Sequence, residues 1–203
     1  MSSLSAGTRP ANLSISSPGV RFHRHAYVVR RSAPYEQEPG FYEPGQLWIY
    51  GNVRLLHGEL AHIPACFGPP VHRPVELDQI ERTAEEVVLS SKILVCGIQS
   101  RAHRRAATVP LRWGCPRILV FSGGFRYHLG PDLTQEPFPE ASLWRESFDA
   151  RTDLVISRRA PDKLPTYSHH NPTVDRLIRL LAEGQWVGLN SPVDPLTPFL
   201  TAS

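Results

Sequence analysis

At 203 residues, 41% of them apolar, the chain is long enough for one good hydrophobic core and has the composition of an ordinary globular domain. No apolar run approaches the roughly 20 residues of a membrane helix, and the opening "MSSLSAGTRPANLSISSPG" lacks the apolar segment of a secretory signal, so no membrane partner is expected. Three widely spaced cysteines, Cys66, Cys96 and Cys115, make neither a disulfide framework nor a zinc pattern, which points to a cytoplasmic protein with reduced thiols.

The net charge of +3 is mild, but its distribution is uneven. Between Val87 and Pro131 there is no Asp or Glu, while Lys92 and six arginines fall inside: Arg101, Arg104, Arg105, Arg112, Arg117 and Arg126. Such a stripe suits phosphate groups. The competing reading is a solvated basic face balanced by the acidic stretch Glu76–Glu86.

In chain order, residues 1–20 are rich in Ser, Pro and Gly and are expected to be disordered. One domain is expected over residues 21–190, followed by a Pro-rich tail over 191–203. "RFHRHAYVVRR" carries a β-prone centre, and "QLWIYGN" reads as a strand closed by a Gly-Asn turn. "ELAHIPACFGPP" is apolar but broken by Pro64, Pro69 and Pro70, so any strand there is short or at an edge. Val75, Leu77, Ile80, Ala84, Val87 and Val88 recur at helical spacing. A strand over Lys92–Cys96, a helix around Ala102–Trp113 and a strand over Arg117–Phe121 follow, with Trp113 and Trp144 expected in the core. "ASLWRESFD" reads as a short helix and "TDLVISR" as a strand. "NPTVDRLIRLLAEG" is a helix with Asn171 as its cap, Pro172 in its first turn and Gly184 at its end. "QWVGLN" reads as a last short strand.

Strands alternating with helices predict an α/β fold, Rossmann-like, with a mainly parallel sheet flanked by helices. Ligands of such sheets bind beyond the C-terminal ends of strands. Two strands end on small residues there, Cys96-Gly97 and Ser122-Gly123-Gly124, where glycine permits a sharp turn and a close ligand. Beyond Gly97 and Ser100, the start of a helix carrying Arg101, Arg104 and Arg105 would point N–H groups and guanidinium forks at an anion. Tyr127, beside Arg126, offers a ring for base stacking.

The order of these segments resembles the DNA-processing protein A family. "LWIYG" matches that family's L-x-x-x-G segment. Cys96-Gly97 stands at its strand-ending Ser-Gly, and Ala102-His103 at the Ala-His pair that leads the next helix. "RILVFSGGFRYHLGPD" follows its Gly-rich strand, with Gly124 on the second glycine, and His170-Asn171 takes the place of its Arg-Asn pair. The resemblance spans Leu47 to Gly188. It implies a Rossmann-like fold, single-stranded DNA binding, a homodimer and loading of a recombinase onto the strand. The chain departs from the family in "HIPACFGPPVHRP", which lacks the Gly-Ser/Thr-Arg phosphate motif. It departs again where a turn is deleted before Ala102, and at Arg126 and His170, which replace Asp and Arg.

The expected site is therefore Gly97, Ser100, Arg101, Arg104, Arg105, Ser122, Gly123, Gly124, Arg126, Tyr127, His170 and Asn171, with no catalytic residue, metal or cofactor. A phosphoribohydrolase loop of the P-G-G-x-G-T-x-x-E kind is missing its Gly-Thr and Glu here. Ser122 lacks the G-x-S-x-G setting of a nucleophile. His103, His169 and His170 have no Cys or acid at ligand spacing. Two other readings stay open: a protein binding a nucleotide or other phosphorylated small molecule, and a protein-interaction scaffold.

Overall fold

A computed structural model describes residues 23–31, 41–70, 73–165 and 171–184. Its strands are β1 (His23–Arg31), β2 (Phe41–Gly51), β3 (Leu60–Ala61), β4 (Ile93–Gly97), β5 (Arg117–Phe121) and β6 (Leu154–Ser157). Its helices are α1 (Pro74–Leu89), α2 (Arg101–Arg112), α3 (Phe125–Leu129), α4 (Pro139–Ser142) and α5 (Pro172–Ala182). One sheet runs β1-β2-β6-β5-β4-β3. β3, β4, β5 and β6 are parallel, and β2 and β1 extend the sheet antiparallel beyond β6. The fold is the expected α/β class. β4 and β5 are parallel neighbours, Val95 opposite Ile118, joined by α2.

Three successive crossovers, β3 to β4 to β5 to β6, step the same way across the sheet. Right-handed connections then place every intervening helix on one face. That face carries Leu94, Cys96, Leu119, Phe121 and Val155 under α1–α4. The opposite face carries Val95, Ile118, Val120, Leu154 and Ile156 under α5, with Leu55 and Leu56 from a 3-10 turn. The strands alternate between the two cores at period 2, and their contiguous apolar runs follow from burial on both sides. In β2, Leu47 and Ile49 face α5, while Trp48 and Tyr50 pack toward the other core. No described helix is long and apolar enough to cross a membrane.

Several expectations need correction. Trp113 and Trp144 are half exposed, not core: Trp113 caps the C-terminus of α2, and Trp144 lies under the Arg112 guanidinium. The helix expected over Ala141–Asp149 is the single turn Pro139–Ser142, and α3 was not anticipated. The N-terminal segment, the tail, "QWVGLN", His169 and His170 lie outside the described residues.

Arg117 is the largest correction. It opens β5 on the α1–α4 face and is wholly buried. Its Nε donates to Asp153 Oδ2 (2.8 Å), Nη2 to Glu136 Oε2 (2.5 Å) and Nη1 to the Ala107 carbonyl (3.0 Å). Arg145 closes the cluster on the same two carboxylates. Replacing Asp153 by Ala leaves Arg117 short of an acceptor inside the core. The expected loss is about 3–5 kcal/mol of unfolding free energy in a denaturant titration. A variant within 1 kcal/mol of the parent, roughly the level of an exposed pair, would contradict the cluster.

Candidate functional site

The arginine stripe does not converge on the strand ends. Arg104 turns back, its Nε donating to the Ile98 carbonyl (2.9 Å). Arg105 reaches Asp78 and Glu81 on α1, and Arg112 shares Glu81. Arg126 pairs with Asp162 (2.7 Å), Lys92 with Glu59 (2.7 Å), and Arg117 is the buried residue above. The acid-free stretch is neutralised from elsewhere in the chain, chiefly by α1 lying alongside α2. Of the six arginines only Arg101, exposed at the start of α2, has no ion-pair or hydrogen-bond partner among the described residues.

The β4 end is closed. Ser100 caps α2, accepting from the His103 N–H (3.3 Å). The Gly97 N–H donates to His103 Nδ1 (3.1 Å), and the Gln99 side chain lies over the face of Gly97 where a Cβ would stand. Phe67, beyond the turn Pro64–Cys66, packs against both cores and against the His103 ring, 6.0 Å between centroids. Burial pushes the thiol of Cys96, just before Gly97, up to about 12. It does the same to Cys66, so neither is a nucleophile at neutral pH.

The glycines at the β5 end admit the chain's own backbone, not a ligand. The Gly124 N–H donates to the Lys163 carbonyl (2.7 Å), and the Arg126 N–H to that of Pro161 (3.0 Å). Ser157 Oγ donates to the Gly123 carbonyl (2.8 Å). A Cβ on Gly124 would collide with the carbonyl oxygens of Ala160 and Pro161, and one on Gly123 with Pro165. Tyr127 is half exposed on α3, edge-on to His128. Burial holds the His128 imidazole down at about 4, so it adds no positive charge there.

What stays open is the neighbouring margin. A cleft of about 470 Å³ lies between the ends of β5 and β6 and the first turn of α5. Phe121, Ser122, Arg158, Arg159, Asn171, Thr173, Val174 and Leu177 line it. Arg158 is exposed. Arg159 is held by the chain: its N–H donates to Ser157 Oγ (3.0 Å) and its Nη1 to the Leu164 carbonyl (3.2 Å). Asn171 Oδ1 caps α5, accepting from the Val174 N–H (3.3 Å). The positive end of the α5 dipole and two arginines thus border one cavity. Of the residues expected from sequence, Ser122 and Asn171 line this cleft. Arg158, Arg159 and Thr173 were not anticipated, although "LVISRR" carries the signal: two arginines directly after a buried strand. The site is a strand-end cleft on an α/β sheet, bordered by Arg158 and Arg159.

No protein-family model matches the chain, and no curated protein does. Two solved structures are similar in shape, both of the family that the sequence resembles. DNA processing protein A from Helicobacter pylori, described with a single-stranded DNA binding mode, is 17% identical at a TM-score of 0.47. That match covers 80% of this chain and 67% of the other. DNA processing protein A from Streptococcus pneumoniae is 21% identical at a TM-score of 0.48, over 67% of this chain and 43% of the other.

If residues 160–165 fill the space beyond the paired glycines, Gly124→Ala has no room for its methyl group. It should lower stability by about 1–3 kcal/mol or more in urea unfolding. A variant as stable as the parent would mean that the segment does not lie against Gly124.

Proposed function

We propose that this protein binds single-stranded nucleic acid, without catalysing a reaction, by holding backbone phosphates in the cleft beyond β5 and β6. The observation that carries the reading is the meeting of Arg158, Arg159, Ser122 and the α5 N-terminus around one open cavity. Guanidinium forks hold phosphate oxygens bidentately, and a helix start adds partial positive charge. Those contacts position a strand without reading its bases. Arg101 supplies a further exposed cation at the neighbouring strand end, and Tyr127 an exposed ring on which a base can stack. A second reading, a nucleotide or other phosphorylated small molecule, is favoured by the cleft volume of about 470 Å³, which lies within the usual range of small-molecule pockets.

Fluorescence anisotropy with a labelled thymidine oligonucleotide separates the two. Binding should weaken steeply with salt, and Arg158→Ala should lower affinity at low salt by about fivefold while flattening the salt slope by roughly 0.7 for the lost phosphate contact. Micromolar, salt-insensitive binding of a mononucleotide would favour the second reading, and an Arg158→Ala protein that binds like the parent would remove the cleft from both.

A further inference from the structure

We infer that His103 is a positioning residue for this cleft and acts through Asp175; the inference rests on the nucleic-acid reading above. His103 lies in the first turn of α2 and is buried. Its Nδ1 accepts from the Gly97 N–H at 3.1 Å. A ring nitrogen that accepts a backbone N–H carries no proton, so the imidazole proton sits on Nε2. Nε2 faces Asp175 Oδ1 at 3.2 Å, and the Gln99 amide donates to the same oxygen at 2.8 Å.

Asp175 is buried in the first turn of α5, and its own N–H bonds the carbonyl of the cap residue Asn171 (3.0 Å). That turn also carries Thr173 and Val174, which line the cleft. α5 also meets the sheet through apolar residues, Val174, Leu177, Ile178 and Leu181. Those residues form the apolar stripe that turns one face of α5 toward the sheet. The chain Gly97–His103–Asp175, with Gln99 as second donor, adds a directional tie at the first turn of the helix. It fixes which residues of the first turn of α5 face Ser122 and Arg158. His103 touches no ligand; it sets the geometry of the residues that do.

The test exploits a sign. Asp175→Leu removes a carboxylate one turn from an anion site, and by electrostatics alone that raises affinity for an oligonucleotide. Positioning demands the reverse: in the full-length chain, affinity for a single-stranded thymidine oligonucleotide should fall about tenfold, as for loss of a charge-assisted hydrogen bond. Unchanged or tighter binding by folded Asp175→Leu overturns the inference. If that variant does not fold, Gln99→Met removes one donor and no charge. It should cost about threefold in affinity, the scale of a single net hydrogen bond, and no loss overturns the inference. Long-range ¹H–¹⁵N correlation of the parent checks the geometry independently of binding. A proton on Nε2 of His103 supports it, and a proton on Nδ1 overturns it. A parent that binds no oligonucleotide refutes the nucleic-acid reading, and the spectrum then decides whether the chain Gly97–His103–Asp175 is in place.

Discussion

The buried fork of Arg117 organises this protein. One guanidinium ties the start of β5 to the body of α2 through Ala107, to the segment before α4 through Glu136, and to the entry of β6 through Asp153. Isolated charges at such depth are expensive, and here two arginines meet two carboxylates with hydrogen bonds along the fork. The cluster ties the first residue of β5 to the residue just before β6. The C-terminal margin of the sheet, beyond which ligands of such folds bind, lies at the opposite ends of those strands.

At that margin the chain covers most of its own crevice. Phe67 and Gln99 sit over β4, and the backbone around Ala160 and Pro161 fills the space that the paired glycines open beyond β5. The N–H donors of Gly97, Gly124 and Arg126 are already used within the protein. Among the described residues an opening lies one strand over, at the β5–β6 boundary, bordered by Arg158, Arg159 and the start of α5.

Much of the fold was legible in the sequence. The period of α1, the caps and proline of α5, and Gly184 at φ +64° beyond its end are local signals, and local signals set those elements. The parallel pairing of β4 and β5 followed from strand–helix–strand order. α3 was not legible, because five residues are too few to show a helical period. The site was half legible. Strand-end logic found Ser122 and, through the cap, Asn171. The competing reading, a basic face balanced by Glu76–Glu86, describes Arg105 and Arg112, which pair with Asp78 and Glu81; charge counted along the chain did not reveal that Asp153 meets Arg117 across 36 residues. No spacing rule marks which arginine of a basic stretch turns inward.

If the cleft beyond β5 and β6 holds the strand, as proposed, a backbone-amide NMR titration of the protein with a short thymidine oligonucleotide locates it. Perturbations should then center on Ser122, Arg158, Arg159 and Thr173, with Gly97 and Ser100 shifting little. Perturbations centred on Gly97–Arg105, with the β5–β6 margin silent, would contradict it.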